Sequence, residues 1–359
     1  MTIFYVALAV LMFGIMITVH ELGHFVAARL TRIPVRAFAV GFGPALVKWT
    51  SKKHETEFAI RAIPMGGYCA FYGEDDIDGK YKDDPRNFGI HAVWRRFITV
   101  LMGAVMNLVL AFLVASLFYA LSGVPRITGP YTTCIMSVGQ GSPGELAGMQ
   151  PGDRIARVND VAITDNLSHV IATLAEADAF PMKVVVERGE GDALTQHEMM
   201  LTPLYDAHEG RYLIGINIQQ AAPVTWQRGN PMEVLQAGYK LCVDAGSAIL
   251  NGLRDLLLRG KGMGDVSGVV GVTRFIVEET RQAKFEGYLY LMSVISINLG
   301  LFNLLPIPGL DGSRLLFLVW EGVRGKPVKR EAYVHAIGML FLLGLMIWIN
   351  FRDILRLFQ

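Results

Sequence analysis

Charged residues are scarce in this chain of 359 residues. Asp, Glu, Lys and Arg make up 18% of it, whereas they make up about a quarter of an average soluble domain. The formal net charge is only +1, and a nucleic-acid-binding domain would instead carry a strongly basic patch. With 52% hydrophobic residues, the composition argues against a nucleic-acid partner and indicates a protein of the lipid bilayer.

Cysteine is also rare, and no basic residue precedes the first apolar segment. Cys69, Cys134 and Cys242 are far apart in sequence, so they form neither a disulfide framework nor a CxxC zinc site. A secretory signal peptide begins with a positively charged region and has a short apolar core. The first apolar segment lacks such a region and is too long, so we interpret it as a retained spanning helix.

Four apolar segments are long enough to span a bilayer, which takes about 17 to 25 residues. They cover approximately residues 3–30, 97–121, 288–305 and 334–349. Lys and Arg are concentrated in the loop after the first span and in the loop between the last two, which predicts that both loops face the cytosol. The N-terminus and the long 122–286 segment then lie on the extracytoplasmic side.

Residues 57–72 alternate apolar and polar side chains on either side of the turn Pro64-Met65-Gly66-Gly67. Alternation around such a turn predicts a β-hairpin. The preceding Gly41–Pro44 stretch is also suited to a tight turn. An apolar hairpin beside a membrane either packs against the helices or offers an edge to another chain.

The segment from 127 to about 205 has a soluble composition. Its run AGMQPGDRIARVND resembles a signature of bacterial PDZ domains, with a short helix at Glu145–Ala147 and strands at Arg154–Val158 and Met182–Arg188. We therefore predict one small α/β domain of the PDZ type. Apolar residues then recur with helical spacing from Val234 to Leu257. This amphipathic helix either lies along the outer membrane surface or caps the PDZ domain, and the pattern favours neither.

The first span contains the motif His20-Glu21-Leu22-Gly23-His24. On a helix, His20 and His24 project from one face at a separation suited to one metal ion, and Glu21 can reach a metal-bound water. This is the HExxH arrangement of zinc hydrolases. Ionisable groups at bilayer depth are costly and usually functional, so the location of the motif within a span strengthens the prediction.

Catalytic zinc needs three protein ligands and an open position. The third span ends in NLLPIPGLDG, where Asp311 is the first carboxylate and the prolines and glycines break the helix. Irregular backbone at membrane depth is tolerated where it is buried in protein or lines a wet cavity. We therefore predict that Asp311 is the third ligand. Asn298 and Asn303, on the preceding helix, can bond freed backbone groups or a substrate.

Together, the HELGH motif, the NLLPIPGLDG motif, the PMGGY turn and a single PDZ-like segment resemble the site-2 protease family. The similarity is closer to the bacterial regulator-of-sigma-E-type intramembrane metalloproteases with one PDZ domain. It implies a zinc endopeptidase of the bacterial inner membrane, with its active site towards the cytosol, that cuts transmembrane helices. His20, His24 and Asp311 would bind Zn²⁺, and Glu21 would be the general base.

The same resemblance implies membrane-spanning protein substrates such as trimmed anti-sigma factors or remnant signal peptides. A helical substrate must be unwound before cleavage, and an edge strand supplies new backbone partners. We predict substrate contacts at Met65, Gly66, Gly67, Tyr68, Asn298 and Asn303. The PDZ domain either binds a newly exposed C-terminus or excludes bulky outer domains, and both possibilities stay open.

The main alternative is a non-catalytic membrane scaffold or receptor with a PDZ domain and a structural zinc. Structural zinc sites have four protein ligands, whereas here three ligands accompany a glutamate in the position of a base. A zinc transporter would need more polar residues in its spans. A soluble zincin with a membrane anchor would carry HExxH outside the membrane.

The predicted fold class is a polytopic α-helical membrane protein of about four spans, with a membrane-associated β-hairpin region and one extracytoplasmic PDZ domain. The predicted segments are the first span (1–30), the cytosolic-side β region (31–92), the second span (93–121), the PDZ domain (122–210), a linker with the amphipathic helix (211–286), the third span (287–313), a cytosolic loop (314–331), the fourth span (332–351) and a tail (352–359).

Overall fold

The structure is a computed structural model that describes residues 2–74, 80–81, 83–128, 132–159, 161–163, 171, 180–189, 194–206, 211–221, 224–259, 268–328 and 330–355. Within these residues, four helices are long and apolar enough to cross a bilayer, as predicted. They are Phe4–Thr31, Val93–Ser122, Phe285–Asn303 and Glu331–Asp353. The end of the predicted tail, residues 356–359, lies outside the described part.

The chain forms two compact units. One contains Met1–Val124 and Arg228–Gln359, and we call it the helical unit. The other, Pro125–Gln227, is the inserted unit.

The helical unit is built around three helices: α1 (Thr2–Thr31), α2 (Val93–Ser122) and α5 (Val269–Asn303). Their shared core includes Met12, Met16, Ile276 and Met292, all buried. Small residues allow close approach between membrane helices. Gly23 shows this at the α1–α2 crossing, because a Cβ there would lie 2.2 Å from the carbonyl oxygen of Met102.

Helix α4 (Pro231–Arg259) is the predicted amphipathic helix, and it belongs to the helical unit. It packs closely on α2, since a Cβ added to Gly238 would lie 2.6 Å from Ser116 Oγ. It also approaches α5, where Ile297 and Leu301 lie near Gly246. The assignment of 211–286 as a linker is therefore corrected, because residues up to 227 belong to the inserted unit and residues from 228 onwards to the helical unit.

Strands β1 (Val35–Thr50) and β2 (Glu57–Phe71) form the sheet of the helical unit. The predicted hairpin within 57–72 is wrong in its pairing. Residues 37–40 of β1 lie opposite both 57–60 and 67–70, so β1 separates the two halves of β2. Alternation of apolar and polar residues indicates a strand but does not indicate its partner. Residues 35–40, which alternate in burial in the structure, were not predicted to form a strand.

The predicted break after the third span is present. Helix α5 ends at Asn303, and α6 (Asp311–Arg324) begins after a turn in which Gly309 has a φ of 97°. Helix α7 (Glu331–Leu355) completes the helical unit. A Cβ at Gly338 of α7 would lie 2.3 Å from Pro308, so α7 packs directly against the turn.

The inserted unit has a sheet in which the strand order is β11 (Ile216–Ala221), β4 (Thr132–Val138), β5 (Arg154–Val158), β7 (Met182–Arg188) and β8 (Thr195–Leu201). It also has a short helix, α3 (Pro143–Leu146). The predicted 122–210 boundary is too early, because β11 pairs with β4 and extends the unit to residue 227. The predicted strands Arg154–Val158 and Met182–Arg188 are confirmed as β5 and β7. The remaining elements are β3 (Val124–Ile127), β6 (Val161–Ala162), β9 (Leu204–Asp206), β10 (Arg211–Leu213) and β12 (Val224–Gln227).

Candidate active site

Helix α1 places two imidazoles side by side in the helical unit. His20 and His24 are one helical turn apart, and their Nε2 atoms are separated by 3.2 Å. Both residues are buried, with 7% and 8% of their surface exposed. The i, i+4 spacing of the motif therefore produces the pair of ligand atoms that the sequence predicts.

Asp311 completes the cluster from the first residue of α6. Its Oδ2 lies 3.0 Å from His20 Nε2 and 3.2 Å from His24 Nε2. The ligand atoms of these three residues all lie within 4.8 Å of one another. Two segments almost 300 residues apart in sequence thus converge on one point.

The donors and acceptors of this cluster fit a zinc ion. His24 Nδ1 lies 2.9 Å from the carbonyl oxygen of Thr99, which can only accept a hydrogen bond. The proton of the neutral ring is therefore on Nδ1, and the lone pair of Nε2 is free. That lone pair faces another imidazole nitrogen and a carboxylate oxygen, and one metal ion bound between them would satisfy all three acceptors. Two imidazoles and one carboxylate are a ligand set of catalytic zinc, with the fourth position left for water.

Glu21 lies beside the cluster and is held by the sheet. Its Oε2 accepts a hydrogen bond of 2.8 Å from the backbone N–H of Cys69 in β2. A Cβ added to Gly67 would be 3.6 Å from Glu21 Cγ, so the same strand also limits the stem of the side chain. Glu21 is thus placed as a carboxylate next to the ligand group and outside it.

Gly103 of α2 forms the surface against which both imidazoles rest. A Cβ at this position would lie 2.4 Å from Cε1 and Nε2 of His24 and 2.9 Å from Cε1 of His20. Real Cβ atoms do not make contacts this short, so any larger residue displaces at least one ring. The position of the rings therefore depends on glycine here.

Helix α6 is fixed to α2 by a buried ion pair. Arg96 Nη1 donates to Glu321 Oε2 at 3.0 Å, and the two side chains are only 7% and 12% exposed. Arg314 of the same helix pairs with Glu74. Because Asp311 begins α6, these contacts help to fix the position of its carboxylate.

The predicted substrate-contacting residues are placed differently from one another. Gly67 is adjacent to Glu21, whereas Gly66, with a φ of 100°, packs against the ring of Phe42. The Tyr68 hydroxyl accepts a hydrogen bond of 2.7 Å from Arg61.

The remaining three candidates are less closely defined. The backbone of Met65 belongs to β2. Asn298 of α5 is exposed, and Asn303 is half-buried at the last residue of that helix. Their contact with substrate stays a prediction.

The sequence also matches known proteins. The profile of Peptidase family M50 covers residues 8–345. The chain belongs to peptidase family M50. A protein of Clostridium acetobutylicum that is named as a zinc metalloprotease is 30% identical over 362 residues, covering 99% of this chain and 98% of that protein. Another from Synechocystis sp. is 32% identical over 350 residues, covering 96% of this chain and 93% of its own length.

The regulator of sigma-W protease RasP of Bacillus subtilis is a further M50 relative. It is 29% identical over 431 residues, covering 97% of this chain and 98% of RasP. These relationships confirm the resemblance to the site-2 protease family. The chain is a membrane-embedded metalloprotease, and its cofactor is zinc.

Some parts of this M50 site were not predicted from the sequence. They are Gly103, the Thr99 carbonyl, the Cys69 N–H and Asn107, whose side chain contacts His20. Asn107 carried a usable signal, because a polar residue in the middle of an apolar span is rare and often functional. The others are backbone groups or a single helix glycine, which no local pattern distinguishes.

Proposed function

We propose that this protein is an intramembrane endopeptidase that hydrolyses peptide bonds within the transmembrane segments of single-span proteins. The observation that carries this proposal is the position of Glu21. It lies between the His20–His24–Asp311 cluster and a strand of the sheet, inside a helix apolar enough to span a membrane.

His20, His24 and Asp311 would hold the zinc. A zinc ion bound there would act as a Lewis acid that activates water and polarises a peptide carbonyl. Glu21 accepts the proton of the attacking water and then delivers it to the leaving amine. The 2.8 Å hydrogen bond from Cys69 keeps the carboxylate of Glu21 in place for this transfer.

The segment 67–71 of β2 is the candidate edge for an unwound substrate. It pairs with β1 on one side, and among the described residues no strand pairs with its other side. A peptide in an extended conformation binds such an edge through its backbone. Because Cys69 lies in this segment and contacts Glu21, a substrate strand added here would be next to the base.

The inserted unit is proposed to act as a PDZ domain on the extracytoplasmic side. It has an open cleft of about 420 Å³, lined by Gln140–Pro143, Leu204–Asp206, Leu213 and Gly215. We propose that a short peptide end binds in this cleft. The expected ligands are the new C-termini of substrates already trimmed outside the membrane, such as anti-sigma factors or remnant signal peptides.

Cleavage of a labelled single-span substrate in liposomes tests the proposal. Purified wild type and Glu21→Gln are compared with and without a zinc chelator, and the zinc content of both is measured. We expect both proteins to bind zinc, and only the wild type with zinc to cleave, with the variant slower by at least about 10³-fold because the base is lost. A Glu21→Gln variant that cleaves at the wild-type rate would refute the role of Glu21.

A further inference from the structure

Asn107 is the one fully buried polar side chain that contacts the cluster from outside it, among the described residues. It lies in the middle of α2 with no exposed surface. Its Nδ2 is 3.2 Å from Nδ1 of His20, while its Oδ1 has no hydrogen-bond partner among the described atoms. A buried amide oxygen without a partner is unusual and calls for a chemical explanation.

The chemistry of His20 indicates which atom of this amide faces the ring. Its Nε2 faces Asp311 and His24, so Nδ1 is the nitrogen that carries the proton when Nε2 is a metal ligand. An N–H at Nδ1 needs an acceptor. The oxygen and nitrogen of an asparagine amide are nearly identical in shape, and rotation of the amide by half a turn places Oδ1 where Nδ2 now lies.

His24 shows the same arrangement with a different partner. Its Nδ1 lies 2.9 Å from the Thr99 carbonyl, which is an acceptor only. Imidazoles that bind a metal almost always donate their other N–H to an oxygen, which fixes the tautomer and the ring orientation. For His20 the backbone offers no such contact among the described hydrogen bonds, and Asn107 provides the only polar atom within reach on that side.

Asn107 also packs against α5. The backbone carbonyl oxygen of Asn107 accepts a 2.8 Å hydrogen bond from Ser296 Oγ. A Cβ added to Gly300 would lie 3.4 Å from Asn107 Cβ. Among the described hydrogen bonds, the side chain of Asn107 contacts only His20.

We propose that Asn107 is a positioning residue whose amide oxygen accepts the Nδ1–H of His20, sets the tautomer of this ring and directs Nε2 towards the metal. This inference rests on the proposed role of His20 as a zinc ligand. Loss of such an outer partner typically weakens metal binding by about 10- to 100-fold.

Zinc affinity of the full-length protein in detergent, measured by competition with a chromophoric chelator, tests this role. Asn107→Leu has a similar size but no acceptor, and Asn107→Ala removes the acceptor if the leucine variant does not fold. Both should bind zinc about 10- to 100-fold more weakly. Asn107→Asp keeps an acceptor and should remain within a few-fold of wild type. Ser116→Ala, a buried polar-to-apolar change elsewhere on α2, should have wild-type affinity.

Thermal unfolding of the zinc-free and zinc-loaded proteins separates positioning from packing. A positioning role predicts that Asn107→Leu loses part of the stabilisation that zinc adds, because the stabilisation by a ligand bound to the folded state rises with the logarithm of its affinity. An equal decrease in both midpoints, with unchanged zinc affinity, would overturn the proposal. If His20→Ala itself binds zinc as tightly as wild type, the ligand assignment and the proposed function fail instead.

Discussion

At the scale of single residues, Gly103 is the glycine that lies against both imidazole rings of the site. It occupies the space between the backbone of α2 and the two imidazole rings. Gly252 of α4 is a matched control, because it is also within a helix but a Cβ there meets nothing within 4 Å.

We expect Gly103→Ala to weaken zinc binding at least about 10-fold, because the added methyl forces a ligand ring out of position. Gly252→Ala should leave zinc affinity unchanged and raise helix stability by up to about 1 kcal/mol. Chelator competition on both variants measures the difference. Wild-type affinity in Gly103→Ala would mean that α2 moves away without disturbing the rings.

The three residues of the proposed zinc site could be named from the sequence because their chemistry is local, and the structure brings them together. The spacing of His20 and His24 sets their geometry on any helix, and Asp311 is the first carboxylate of its broken span. Gly103 and the Thr99 carbonyl could not be predicted. Their roles arise from the crossing of α1 and α2, and helix crossings depend on packing that one sequence does not specify.

At the scale of elements, the turn between α5 and α6 depends on α7. Gly338 of α7 lies against Pro308, and Met339 N is close to Gly309. Asp311 follows directly after this turn. Gly344, one and a half turns further along α7, faces open space and provides a control on the same helix.

Gly338→Ala should displace the turn and with it the carboxylate of Asp311, because a Cβ would lie 2.3 Å from Pro308. We expect several-fold weaker zinc binding and a larger loss of cleavage, since catalysis is more sensitive to small displacements than binding. Gly344→Ala should match wild type in both assays. Equal behaviour of the two variants would show that α7 does not fix the turn.

The elements themselves were easier to predict than their partners. Four spans follow from length and hydropathy, and the Pro-Gly break follows from backbone sterics. The two halves of β2 were predicted as strands but were paired with each other. Their actual partner, β1, comes earlier in the chain. The local alternation of residues shows which face of a strand is buried, but it does not show which distant strand is the partner.

At the scale of the whole molecule, the inserted unit has its own core and its own buried ion pair. Asp153, with a side chain only 1% exposed, accepts hydrogen bonds from Arg188 Nε at 2.6 Å and from Gln150 N at 2.8 Å. Burial opposes ionisation of this carboxyl, but these hydrogen bonds outweigh it and lower the pKa of Asp153 below its usual value.

A lowered pKa in the folded state means that the unfolded chain takes up the proton first as the pH falls. The stabilisation by Asp153 is therefore complete above about pH 4, the usual pKa of an aspartate, and is lost as the pH falls through the lower folded pKa. Hydrogen exchange of amides in β5 and β7, followed from pH 6 to pH 3 after correction for intrinsic rates, measures this loss.

Asp153→Asn should destabilise the inserted unit at neutral pH and make its stability less dependent on pH between pH 6 and pH 3. Glu198→Gln, which removes an exposed ion pair with Lys183, should change stability by less than about 1 kcal/mol. Zinc content should be the same in both variants, because the proposed ligands belong to the helical unit. Zinc loss confined to Asp153→Asn would contradict the independence of the two units.

The boundary of the inserted unit was predicted less well than its strands. The AGMQPGDRIARVND run marks β5 and the loop before it, but β11 lies some 60 residues later and joins the sheet through β4. A sequence signature in one part of a domain does not indicate at which residue the domain ends.

The pairing of β3 with β12 has a consequence for how this protein could be altered. These strands are the first and last of the inserted unit, so the chain enters and leaves it at neighbouring points, about 5 Å apart across the ladder. A short connection between the two strands would bridge that gap. We therefore expect that the inserted unit can be removed or replaced by another domain, and that the ends of α2 and α4 then keep their original spacing.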